Sequence, residues 1–288
     1  MSKPGILKRA ANSPTKRLFR SSAVTRPNSA SESIPSDFQK VPLRLLGILV
    51  IAVAALAPFS FPNDESGNVI RPVPWKGGEH LQYGVSWANF VAAGELMLEC
   101  QEMSGPGKSR LYRLGVRARS VDWVRTLFLN VNDSYESSID AETLLPIQAD
   151  ARLEHGNKLE QNSIRFDHQN RVVRLSNGQT RPLAPNTYDA ATLMFMLRTL
   201  ELAPGKTRVF RLLDKETEYA LKAEAEQTES VRIAQKDYQV TRVAIKQLEN
   251  GIAQDTLRIR LYLTSDSRRL LVLMTAEPVW GAIKVELR

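Results

Sequence analysis

Cysteine is nearly missing from this 288-residue chain, where Cys100 stands alone. No disulfide can close within one copy, and no multi-cysteine metal site can form. Cys100 ends the strand-like run Leu96-Met97-Leu98-Glu99-Cys100 and reads as a small core residue. Histidine is scarce as well: His80, His155 and His168 show neither the His-x-His nor the His-x-x-x-His spacing that seats a metal. No Gly-x-Ser-x-Gly, no Ser-x-x-Lys in a suitable setting and no glycine-rich phosphate loop occurs. No catalytic residue, metal site or cofactor is therefore expected from local motifs. A site assembled from distant strands, for instance an acid pair such as Glu154 and Glu160, would escape a scan of this kind.

Positive charge is plentiful but unevenly placed. The net charge is +8, yet residues 1–44 hold nine Lys/Arg against only Glu32 and Asp37. The remainder carries 30 Lys/Arg and 29 Asp/Glu, which is close to neutral. The basic character belongs to the tail, and nucleic acid is not an expected partner of the folded part. Residues 1–40 are rich in Ser, Pro, Asn, Lys and Arg without an apolar period, so 1–44 reads as a disordered, basic cytoplasmic tail.

Residues 45–62 (LLGILVIAVAALAPFSFP) contain no charge over 18 positions. As a helix they would span ~27 Å, close to the ~30 Å of a hydrocarbon core. Lys40 and Arg44 precede the segment and Asp64 and Glu65 follow it, which orients the C-terminal part across the membrane. Ala55-Leu56-Ala57 has the small-x-small form of a cleavage site, but Pro58 follows it and disfavours the cut. A single-pass inner-membrane anchor with a periplasmic C-terminal domain is thus favoured. A cleaved signal that releases the domain to the periplasm, or a start nearer Val41, is the alternative. Residues 63–78, with Pro72, Pro74 and Gly77-Gly78, read as a linker.

From Glu79 to Arg288 the dominant signal is a period of two. Tyr112, Leu114, Val116 and Ala118 share one face, with Arg113, Arg117 and Arg119 on the other. The runs 257–263 and 283–288 repeat the scheme, and weaker strand patterns occur at 80–86, 94–100, 146–153, 162–167, 171–175, 207–213, 218–223, 230–234 and 239–247. Turn signals such as His155-Gly156-Asn157, Asn177-Gly178 and Asn250-Gly251 separate many of them. Residues 187–202 are helical, with Thr187 or Asp189 as N-cap and Pro204-Gly205 as the stop. That helix is apolar on most sides and needs a cover. Residues 121–129 fit a helical turn or a bulged strand. The expected fold is mainly β: a curved antiparallel sheet or incomplete barrel around one apolar helix, behind an N-terminal transmembrane or signal segment.

The order of elements resembles the bacterial exported proteins grouped as domain of unknown function 3108. The likeness covers about 79–288 and rests on His80-Leu81-Gln82-Tyr83-Gly84-Val85-Ser86-Trp87, on Ala93-Gly94-Glu95-Leu96, and on Asp140 to Leu145-Pro146. It continues through Tyr188-Asp189-Ala190 with Leu197-Arg198, and through Leu261-Tyr262-Leu263-Thr264-Ser265-Asp266-Ser267-Arg268-Arg269 before Gly281. Leu270-Leu271 stands where the family tends to have a proline, and Leu261-Tyr262-Leu263 replaces a more usual Trp-containing strand. The resemblance implies export and a β-rich fold akin to open barrels that carry lipids or lipoproteins. It implies no reaction.

Candidate ligand or partner residues follow from chemistry alone. Asp266, Arg268 and Arg269 sit in a hairpin, where the carboxylate can cap the turn or the arginines can meet an anion. Arg113 and Arg117, with Arg258 and Arg260, form either a basic patch or a wet sheet face interleaved with acids. Tyr83 and Trp87, like Trp123 and Trp280, fit core packing or the lining of an apolar cavity. The function expected is that of a non-catalytic envelope protein that binds an apolar or amphipathic ligand, such as a lipid, or docks on an envelope protein partner. An envelope hydrolase and a purely structural scaffold are the alternatives.

Overall fold

The computed structural model describes residues 72–288 except 89, 90, 106, 108, 123, 125–129, 279 and 280. The basic tail, the hydrophobic segment 45–62, linker residues 63–71, Trp123, Trp280 and most of 121–129 lie outside the described residues. Among the described residues no helix is long and apolar enough to cross a membrane.

Alternating sequence becomes strand throughout. The first eight strands are β1 (Glu79–Trp87), β2 (Val91–Ser104), β3 (Arg110–Ser120), β4 (Asn132–Asp140), β5 (Pro146–His155), β6 (Lys158–Asp167), β7 (Val172–Leu175) and β8 (Thr180–Pro182). After them come β9 (Thr187–Tyr188), β10 (Thr207–Asp214), β11 (Thr217–Ile233), β12 (Lys236–Glu249), β13 (Ile252–Thr264), β14 (Leu271–Ala276) and β15 (Ile283–Leu287). In β3 the buried residues are Tyr112, Leu114, Val116, Ala118 and Ser120, with Arg113, Arg117 and Arg119 exposed, as the period of two requires.

All fifteen strands of the described residues join one sheet in the order β8-β7-β6-β5-β4-β3-β2-β1-β15-β14-β13-β12-β11-β10-β9. The first and last strands pair at its middle, Tyr83 opposite Leu287 and Val85 opposite Val285. Two antiparallel meanders spread from that seam, and only the β9–β10 contact is parallel. The outermost strands, β8 and β9, are neighbours in sequence, separated by residues 183–186. That link reaches at most ~17 Å. A flat sheet of this width would hold its edges ~67 Å apart at ~4.8 Å per strand. The sheet must therefore curl until its edges nearly meet, as an incomplete barrel.

Side chains close the gap instead of a backbone ladder. Arg181 donates to the Glu216 carbonyl at 2.7 Å and to its carboxylate at 2.9 Å, and Lys215 Nζ lies 2.6 Å from Glu160 Oε1. Leu213 of β10 packs with Ile164, Phe166, Val173, Leu175 and Leu183 from the opposite edge.

Inside lies a short helix, α1 (Ala190–Met196), extended by a 3-10 turn over Leu197–Thr199. Every residue of both is buried. The expected helix 187–202 is thus trimmed at both ends. Thr187 and Tyr188 are drawn into the ladder beside Arg211 and Leu212, and Leu200 is already extended. Asp189 is the N-cap, its side chain accepting from the Thr192 N–H at 3.1 Å.

Candidate binding site

The interior helix is held by polar pins at both ends, set in one inward-facing row of the sheet. The register places Glu79 beside Cys100, Cys100 beside Leu114, and Leu114 beside Ser137. The Ser137 hydroxyl donates to Asp189 Oδ2 at 2.7 Å, and Thr192 Oγ1 reaches the same oxygen at 2.6 Å. At the other end Arg198 meets Glu79. Asp189 to Arg198 spans ~13.5 Å of helix, and four adjacent strands span ~14.4 Å. A helix of this length crosses from β4 to β1 and is pinned at those two strands.

Asp189 is fully enclosed. Burial raises its pKa against the opposing pull of the Thr192 and Ser137 hydrogen bonds. Arg198 is 1% exposed. Its guanidinium donates to Glu79 Oε2 at 2.5 Å and Oε1 at 3.1 Å, to the Pro74 carbonyl at 2.9 Å, and to the carbonyls of Arg268 at 2.8 Å and Arg269 at 3.1 Å. Nε and Nη1 each make one of these bonds and Nη2 shares its two N–H groups among three acceptors, while the Glu79 carboxylate matches the charge.

Arg198 therefore ties the helix end to three separate pieces: β1, the β13–β14 hairpin, and residues 72–78, a strap ahead of β1. The strap is packed, not free. Trp75 is 4% exposed, with its ring 5.6 Å from Phe195 and 6.5 Å from Tyr112, both edge-on. The Gly78 N–H reaches the Cys100 carbonyl at 2.8 Å. A side chain at Gly77 would meet Glu102 Cβ at 2.9 Å, so the strap lies close on β2.

Two buried polar groups near this node have no hydrogen-bond partner among the described residues: Trp75 Nε1 and the Tyr83 hydroxyl. Tyr83 is 0% exposed, and both residues belong to the main core. Burial keeps the phenol protonated, with the charges of Arg198 and Glu79 next in influence. Both groups are thus hydrogen-bond donors in want of an acceptor. An orphaned buried donor costs about 1–3 kcal/mol, so it marks a place where a partner would be favourable. Cys100, in the Glu79 row, has its thiol pushed up to about 12, first by burial and then by the Glu79 charge.

The residues singled out from sequence fall in three places. Tyr83 faces the core. Asp266, Arg268 and Arg269 form the β13–β14 hairpin against Arg198. Asp266 Oδ1 accepts the N–H groups of Arg268 and Arg269, each at 3.2 Å, and the Thr264 hydroxyl at 2.7 Å. The Arg268 side chain folds back on Asp266 Oδ2 at 2.8 Å, and Arg269 Nη1 donates to the Leu200 carbonyl. Burial opposes the Asp266 charge, but bonds from Thr264 and Arg268 outweigh it and leave its pKa below the usual value.

Arg113 and Arg117 lie on the outer face of β3. Arg113 is exposed, whereas Arg117 lies 3.4 Å from Glu99 and 3.9 Å from Glu136. Arg258 and Arg260 have Glu277 and Asp255 as partners, so these arginines stand interleaved with acids. Trp87, half-buried at the far end of β1, covers Gly281. Sequence reasoning missed Glu79, Trp75 and Arg198 as a unit. Only Arg198 had stood out, as part of the Leu197-Arg198 pair.

Two further features lie apart from the node. An outer-face cleft of about 280 Å³ is lined by Arg117, Arg119, Arg288, Glu95 and Met97, among others. Its arginines are partly spent, since Arg119 and Arg288 both bond to Glu95. Toward the opposite end of the barrel, buried Asp133 accepts the Glu154 N–H at 3.0 Å and lies 3.0 Å from His155 Nε2, with its pKa raised by burial. Among the described residues no group of three or more His, Cys, Asp or Glu stands together to hold a metal.

The model of the family described as "Protein of unknown function (DUF3108)" matches residues 82–288. A barrel-like protein of domain of unknown function 1849 from Brucella abortus shares the fold, with a TM-score of 0.50 and 14% identity over 73% of this chain and 94% of that one. Weaker likenesses are a domain of unknown function 1089 protein from Pseudomonas aeruginosa (TM-score 0.36, 13% identity, 60% of this chain, 87% of that one) and a candidate exported protein with a YmcC-like fold from Bacteroides fragilis (TM-score 0.33, 8% identity, 74% and 94%). Comparison with curated proteins gives no significant match. The chain belongs to the DUF3108 family.

Proposed function

We propose that this DUF3108 protein is a non-catalytic cell-envelope protein whose barrel takes up an apolar or amphipathic ligand, with residues 45–62 anchoring or exporting the domain to the periplasmic side. One observation carries the reading: the Trp75 N–H and the Tyr83 hydroxyl are buried in an apolar interior with no acceptor. Natural cores rarely leave such donors empty, and a bound polar atom would satisfy them. The apolar surround, with Phe195, Tyr112 and Leu98, suits a hydrocarbon chain.

The test is titration of the purified domain with cis-parinaric acid, whose emission rises in an apolar site. Saturable binding at one site per chain supports the proposal. A flat response at every concentration removes it.

A second reading, an envelope hydrolase, rests on the pair of buried Asp133 and half-buried His155 at 3.0 Å. Hydrolysis of p-nitrophenyl esters that disappears in His155→Gln would favour it, and equal rates in both proteins would dismiss it.

A further inference from the structure

We infer that the place filled by Trp75 is itself a binding site, for an acyl chain whose head is an uncharged carbonyl, and that the strap 72–78 occupies it until the ligand enters. This rests on the ligand-binding reading above and deepens it.

The strap is built as an occupant. Trp75 contributes a large apolar surface against Phe195 and Tyr112, yet its N–H finds no acceptor there. A permanent core indole normally satisfies that group. One polar tie from the barrel core holds the strap beside the ring, the Pro74 carbonyl on Arg198. Two backbone ties sit at the β1 end, from Gly78 N to the Cys100 carbonyl and from Glu79 N to the Lys76 carbonyl. Lifting residues 72–76 thus breaks few bonds and leaves β1 in place.

The chemistry of the ligand follows from what the node lacks. Arg198 is matched in charge by Glu79, and each of its three nitrogens already donates. A bare carboxylate or ammonium entering here would be an uncompensated buried charge. The groups in want of a partner are donors: the Tyr83 hydroxyl, and the Trp75 N–H, which regains water when the strap lifts. An ester or amide carbonyl supplies acceptor oxygen without charge, and its chain replaces the indole against Phe195 and Tyr112. Both an ester lipid and an acylated polypeptide present this chemistry.

The test locks the strap reversibly. In Gly77→Cys/Glu102→Cys the two Cβ atoms start 2.9 Å apart, and a shift of about 0.6 Å brings them to the ~3.5 Å lower end of disulfide geometry. Cys100 is buried and stays out of the exchange. Binding is measured with radiolabelled methyl palmitate, palmitate and hexadecylamine, and then with monopalmitoylglycerol and a palmitoyl-amide peptide to separate the two sources.

The oxidised protein should bind methyl palmitate at least about ten-fold more weakly than the same protein reduced, and Trp75→Ala should bind it about ten-fold more tightly than wild type. The charged probes should bind about ten-fold more weakly than the ester. Equal binding by the oxidised and reduced protein overturns the inference while leaving the barrel reading intact. Preference for palmitate over its ester overturns the assignment of the head group. Binding by none of the proteins overturns both readings.

Discussion

Arg198→Met is the substitution with the most to say about how the barrel is held. It removes a guanidinium that is 1% exposed and leaves the Glu79 carboxylate, 14% exposed, with the carbonyls of Pro74, Arg268 and Arg269 short of a donor. Breaking one side of a buried pair typically costs 3–5 kcal/mol, so a loss of about 3 kcal/mol is expected. For a domain of this size that lowers the Tm by roughly 6–12 °C. Arg198→Lys keeps a charge opposite Glu79 but lacks the planar fork, so it should lie between the two.

Glu79→Leu/Arg198→Met removes the stranded carboxylate as well. The double variant should recover about 1–3 kcal/mol relative to the sum of the single losses. Urea unfolding followed by tryptophan emission supplies the values, with an unchanged m-value as the check on two-state behaviour. Since Pro74 loses its donor, native Arg198→Met should also show red-shifted emission from a looser Trp75. Losses under 1 kcal/mol for Arg198→Met, or simple additivity in the double variant, would refute the assignment of Arg198 as the tie between helix, strap and hairpin.

Asp189 has its pKa raised by burial, so the native state holds its proton more tightly than the unfolded chain does. Stability from this group is fully present below about 4, the unfolded value, and is lost as pH climbs from there through the raised native value. Asp189→Asn should flatten this part of the Tm–pH curve, and a curve with the wild-type slope would contradict the burial argument. Gly281→Ala should cost about 2 kcal/mol in urea melts, because φ is 130° and a Cβ would sit 2.7 Å from Trp87 Nε1. Cys100 is buried with its thiol pushed up to about 12, so it should react with Ellman's reagent only after denaturant unfolds the domain. Prompt reaction in native buffer would show that the Glu79 row is open.

Strands with clean alternation were legible from sequence, and β3 is the plainest case. The hairpin at Asn250-Gly251 was equally plain, because both residues take positive φ and are suited to it. By contrast, β11 and β12 turn at Ala234-Gln235, also at positive φ but without a turn residue. The strand patterns at 218–223 and 230–234 therefore looked like separate strands and are one, Thr217–Ile233. β4 escaped notice because its inward positions include Asp133 and Ser137, polar residues whose partners lie far along the chain.

The same cause hid the candidate site. Arg198 and Glu79 are 119 positions apart, and Arg198 and the Arg269 carbonyl are 71 apart. No spacing rule links them before the sheet curls. The Asp266 hairpin was visible as a turn. Its meeting with Leu197-Arg198 was not.

The central claim is that this barrel holds a ligand, and the most direct measurement is solvent extraction and mass spectrometry of the full chain purified from envelopes. The account predicts an acyl-bearing molecule recovered at close to one per chain and lost on denaturation. Preparations that keep the folded barrel but yield no such molecule, before and after incubation with envelope lipid extract, would contradict it.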